Sequence, residues 1–200
     1  VPQEPLTAHS LAEAYFYLMI TPCASCGKGP LRGSDATRSG NDSSVLFVDI
    51  EAACGTCNGH SNFTFRLPHG TGVDKDTGLP TVNPTDGPSG IIDVAQWLTL
   101  FRVITAKAGD TADKADSRRL GLEAAQCLEE ALKFYEDDND LPPESACFSD
   151  TSRARFAEHP QEFSRQRLIN LRAKLPNMNV MLARAAQDLQ RTKRRWWRRK

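Results

Sequence analysis

Thr21-Pro22-Cys23-Ala24-Ser25-Cys26-Gly27-Lys28-Gly29 and Cys54-Gly55-Thr56-Cys57-Asn58-Gly59 are the two stretches on which the reading of this sequence turns. Each contains a C-x-x-C pair. Such a turn lets two thiolates point at one ion, and two turns together close a tetrahedron with metal–sulfur bonds of about 2.3 Å. Gly27 lets the first turn fold back with its amides toward the sulfurs, and Gly55, Thr56, Asn58 and Gly59 give the second the same small residues and turn formers.

Strand signals flank the second turn. Val45-Leu46-Phe47-Val48-Asp49-Ile50 runs into it, and Ser61-Asn62-Phe63-Thr64-Phe65-Arg66-Leu67 leaves with apolar residues at every second position. The expectation is a hairpin with a metal knuckle at its tip. Over about residues 21–67 the arrangement resembles a zinc ribbon, a superfamily of four-cysteine, rubredoxin-like knuckles on a small antiparallel sheet. The resemblance implies a metal site formed by Cys23, Cys26, Cys54 and Cys57, with zinc as the cofactor and iron as the alternative, since rubredoxin knuckles share the spacing. A closed four-thiolate site has no open position for water or substrate, so it stabilises rather than catalyses.

Other uses of these cysteines fit less well. Disulfides need an oxidising compartment, and no export signal is visible. A thioredoxin-like motif wants one C-x-x-C at the start of a helix. Pro22-Cys23-Ala24-Ser25-Cys26 matches half of the zinc-deaminase signature, but upstream stands only His9-Ser10-Leu11, without the proton-shuttling Glu. His60 reads as an ordinary strand-edge histidine, and Gly33 to Ser44, polar and rich in Gly, Ser and Asp, as an exposed loop or finger.

Around this module the sequence predicts an α+β protein: an N-terminal helix and a small antiparallel ribbon (1–68), a Gly/Pro-rich linker (69–90), an all-α domain (91–176) and a basic helix and tail (177–200). Ser10-Leu11-Ala12-Glu13 has the capping-box pattern, and Leu11, Ala14, Tyr15, Leu18 and Met19 follow at helical spacing. Tyr15, Phe16 and Tyr17 could stack on bases but read more simply as packing. Ile91, Val94, Leu98, Phe101 and Ile104 predict one amphipathic helix starting near Asp93. Leu120, Ala124, Cys127, Leu128, Ala131 and Tyr135 predict a second over about 117–136, with Cys127 a buried apolar residue. Glu136 to Asp140 reads as a solvated acidic turn or a dock for a basic partner, Cys147 as structural, and residues after Pro160 as a basic amphipathic helix closed by Pro176.

The chain has 200 residues, 40% of them apolar, with 25 basic and 25 acidic side chains. Zero net charge here is cancellation: residues 1–90 carry 5 basic and 9 acidic side chains, 91–150 carry 6 and 13, and 151–200 carry 14 and 3. Seven of the last ten residues are basic and two are Trp. Arg191, Lys193, Arg194, Arg195, Arg198, Arg199 and Lys200 could neutralise phosphates, and Trp196 and Trp197 could stack on bases, which points to nucleic acid as partner. An anionic membrane surface would suit the same residues, and a protein partner held by the helical domain is the other reading. No catalytic motif or small-molecule substrate is identifiable, and no apolar run spans a bilayer, so the expectation is a cytoplasmic binding protein.

Overall fold

The computed structural model describes residues 4–41, 45–69, 80–136 and 139–176. It is a mixed α and β structure, with five α-helices and one five-stranded sheet among the described residues. The sheet is built on β4 (Val45–Cys54) and β5 (His60–Pro68), an antiparallel pair in register from Val45↔Pro68 to Ala53↔His60. Alternation along the two strands puts Val48, Ile50, Ala52, Cys54, Phe63, Phe65 and Leu67 in the core. The two long strands follow the expected hairpin.

The rest of the sheet departs from expectation in two ways. The N-terminal strand β1 (Leu6–Thr7) pairs parallel with β5, which makes the sheet mixed rather than antiparallel. Two residues are too few to carry a period-two signal. Two unexpected strands, β2 (Leu31–Gly33) just before the segment expected as an exposed loop and β3 (Thr37–Asn41) within it, run antiparallel to β4 on its other edge. The β3 sequence, Thr-Arg-Ser-Gly-Asn, buries no large apolar side chain. Its pairing rests on backbone hydrogen bonds, which every sequence can make.

Helix α1 (Leu11–Ile20) lies between two cores. Ala14 and Leu18 pack on the sheet, whereas Phe16 belongs to the helical core, edge-on to Trp97 with ring centroids 5.9 Å apart. The capping box is half realised. Ser10 Oγ accepts from Glu13 N at 3.1 Å, but the Glu13 carboxylate takes the N–H of His9, and Ser10 Oγ itself donates to Val82 O at 2.6 Å. That bond ties the described part of the Gly/Pro-rich segment to α1. The Lys133 ammonium fastens the same segment from the other side by donating to the carbonyls of Asn83 and Thr85.

Helices α2 (Val94–Asp110) and α3 (Lys114–Leu132) form the antiparallel pair at the centre of the helical core. Asp93 and Gln96 complete a capping box at the start of α2, and Asp113 caps α3, which begins at Lys114, three residues before the expected start. Cys127 and Cys147 are buried. Burial, the largest cause in each case, raises both thiols, Cys147 to about 11.

Two further corrections fall at the C-terminal end. A short helix α4 (Asp150–Glu158), which has no apolar period, starts at Ser149, whose Oγ accepts from Ser152 N. The single helix expected after Pro160 is a 3-10 turn, Pro160–Phe163, then a break at Ser164 and α5 (Arg165–Arg172). Asp140 caps that restart, accepting from Gln166 N at 3.0 Å and Ser164 Oγ at 3.1 Å, so this member of the acidic run holds its own chain. No helix among the described residues is long and apolar enough to cross a membrane.

Candidate metal centre

The hairpin tip and the loop before β2 bring Cys23, Cys26, Cys54 and Cys57 together, with all four Sγ atoms within 4.8 Å of one another. Cys23 and Cys57 are 3.6 Å apart, and Cys26 and Cys54 are 3.8 Å apart. A tetrahedron with bonds of about 2.3 Å has sulfur–sulfur edges of about 3.8 Å. A disulfide requires about 2.05 Å. The spacing therefore fits four ligands of one metal ion and not two disulfides, and the cluster is compatible with a zinc-ribbon-like site.

The two knuckles repeat one another bond for bond. Gly27 N donates to Cys23 O at 2.8 Å and Cys23 N to Lys28 O at 2.7 Å; Asn58 N donates to Cys54 O at 3.0 Å and Cys54 N to Gly59 O at 2.8 Å. Both turns need a left-handed residue at the fourth position after the first cysteine, Gly27 at φ +67° and Asn58 at φ +55°. Asn is among the few other side chains that adopt this region readily, so it serves where a Gly stands in the first turn. Gly55 N to Pro30 O and Thr56 Oγ1 to Gly29 O then stitch one knuckle to the other.

Backbone amides already face the sulfurs. Ser25 N points at Cys23 Sγ, Thr56 N at Cys54 Sγ and Gly59 N at Cys57 Sγ, each at 3.4 Å. Such donors favour thiolates. The Ser25 and Cys26 amides lower the Cys23 thiol, and those of Cys57 and Thr56 bring Cys54 down to about 6. Cys26 is lowered by its bond from Lys28, but the thiols around it and burial outweigh this and push it up to about 12. A divalent cation at the centre would offset the charge of four thiolates.

Cys23 and Cys54 are buried, Cys26 is half-buried and Cys57 is exposed, so one corner of the site faces solvent. His60 stands aside, its Nδ1 2.9 Å from Glu51 Oε1 on the exposed edge of the hairpin. Tyr17, one of the three clustered aromatics, packs edge-on to Phe63 and Phe65. Gly59, read from the sequence as a turn former, also makes a close approach between the knuckles, where an added Cβ would lie 3.0 Å from Ser25 Oγ and 3.2 Å from Cys57 Sγ. Its place two residues after the last cysteine was the available signal.

The expected anion-binding residues Arg191, Lys193, Arg194, Arg195, Trp196, Trp197, Arg198, Arg199 and Lys200 lie outside the described residues. So does the amphipathic stretch expected from Leu182 to Leu189. No protein-family model matches the chain, and neither the curated proteins nor the solved structures compared with it give a match.

Proposed function

We propose that this chain is a zinc-stabilised binding protein: a zinc ribbon joined to an all-α part, contacting nucleic acid through its basic C-terminal residues. The observation that supports it most is the closed cluster of four sulfurs within 4.8 Å, a donor set that fills a tetrahedral ion and keeps no position for substrate. All-sulfur ligation suits zinc, and the small sheet would draw much of its folding free energy from the ion. Iron in the same cage is the competing occupant.

Two measurements test the halves separately. Cys54→Ser should lose the metal and unfold or aggregate the sheet; a soluble variant with unchanged zinc content refutes a structural centre. For the tail, binding of a labelled single-stranded oligonucleotide is compared between the full chain and a truncation after Gln190. Loss of seven cations should flatten the log–log salt slope by up to about 5. Equal affinity and equal slope would move the nucleic-acid site elsewhere.

A second reading, a protein-interaction scaffold, has its own support. Met19 and Val103, on α1 and α2, are exposed apolar side chains on facing walls of one cleft.

A further inference from the structure

That cleft, of about 1030 Å3, runs between α1, the first knuckle and β2 on one side and α2 with the start of α4 on the other. Its aliphatic surface comes from Met19, Ile20 and Val103, with Met19 36% and Val103 54% exposed. Three cations, Arg32, Lys107 and Arg155, line it, and among the described residues no carboxylate side chain does.

Two of the cations are free to act on an occupant. Arg32 and Lys107 make no ion pair among the described residues. Arg155 shares Glu162 with Arg102, so two guanidinium groups face one carboxylate and a positive charge is left over. Its group is also fixed in place, donating to Ala95 O at 3.0 Å and Thr99 Oγ1 at 2.8 Å, with the Nη2 atom buried and without a hydrogen-bond partner. Ser149, Thr151 and Ser152 at the start of α4 add the positive end of a helix dipole.

We propose that this cleft is a docking groove for an acidic, apolar peptide segment of a partner protein. Its large side chains pack on Met19, Ile20 and Val103, and its carboxylates pair with Arg32 and Lys107, with the surplus charge of Arg155 and Arg102 over Glu162 behind them. Charge complementarity selects this occupant. The chain's own C-terminal residues, seven of the last ten basic, would meet like charge there. A nucleic-acid strand needs a succession of stacking platforms, and among the described residues the wall has a single aromatic, Tyr15. The inference rests on the scaffold reading and is independent of the tail.

The test is selection of displayed random peptides of about a dozen residues on the full-length, metal-loaded protein, a length that reaches along such a groove. Enriched peptides should interleave Asp or Glu with large apolar residues. A synthetic copy should bind Val103→Glu and Lys107→Glu at least about tenfold more weakly than the parent. Arg118→Glu, the same change of charge on exposed α3, should leave affinity unchanged. Both groove positions are on the surface of α2, and circular dichroism with thermal melting checks that each variant is folded. Acidic peptides that bind all variants equally overturn the groove while leaving protein binding intact. No enrichment, or enrichment of basic peptides, overturns groove and scaffold reading together. Displacement of the peptide by a single-stranded oligonucleotide would hand the groove to nucleic acid, and a dimer broken by Val103→Glu would hand it to a second copy.

Discussion

Gly33, the last residue of β2, is where the tolerance of the fold can be calculated most directly. A Cβ there would lie 2.8 Å from Leu18 Cδ1, 2.9 Å from Ile50 Cγ2 and 2.9 Å from Tyr15 Cε1. Carbon atoms settle at about 3.5 to 4.0 Å, so three contacts must each open by about 0.7 Å. Leu18 and Ile50 are fully buried and have nowhere to go, while Tyr15 can swing only by giving up its bond to Ser34 O. Overpacking of this kind costs about 1–3 kcal/mol. Replacing Gly also restricts the unfolded chain, which returns about 0.4–1 kcal/mol. Gly33→Ala should therefore destabilise by about 1–2 kcal/mol and lower Tm by about 2–8 °C for a chain of this size. The assay is thermal and urea unfolding of the metal-loaded protein beside Gly109→Ala. Gly109 is in α2 with no atom within 4 Å of an added Cβ, so there the same substitution should stabilise by about 0.5–1 kcal/mol. A Gly33→Ala Tm equal to or above the parent's would refute the close packing of α1 on the sheet.

Phe16→Ala removes the ring that α1 sends into the helical core against Trp97 and should cost about 3–5 kcal/mol in urea unfolding, where a loss below about 1 kcal/mol would show that the contact is dispensable. Burial is the largest influence on Glu130 and raises its carboxyl above its ordinary 4.5, against the opposing hydrogen bond from Lys133. A raised acid contributes stability that is full below the unfolded value and is lost as pH rises through the folded one. Glu130→Gln should thus gain on the parent as pH is taken from 4.5 upward, and a stability difference constant across that range would contradict the shift. Loss of metal on Cys54→Ser and the flattened salt slope of the Gln190 truncation complete the set.

Features carried by neighbouring residues were legible in the sequence. The two C-x-x-C turns specify their own geometry, since each needs only a left-handed residue at Gly27 or Asn58 and amides close by to face the sulfurs. Strands β4 and β5 announced themselves by apolar alternation, and α2 and α3 by one apolar stripe each, because a single buried face imposes a period on the residues that form it.

Other features had no local mark. The two-residue β1 and the polar β3 are strands because β5 and β4 had unpaired edges to offer, and a backbone donor leaves no trace in side-chain pattern. Helix α1 read as one-sided, yet it is covered on both sides, with Leu18 toward the sheet and Phe16 toward Trp97. Its Glu13 carboxylate takes the N–H of His9, and Ser10 Oγ donates to Val82 O across 72 positions of chain, a partner no local pattern names. The cleft is further still from anything local, for Arg32, Lys107 and Arg155 come from a strand and two helices. Spacing along the chain therefore determined the two cysteine turns and the hairpin that carries the second of them. Only the tertiary structure decided which edges paired, which faces were covered and which cations came to share a cleft, since those depend on free energies between residues far apart in sequence.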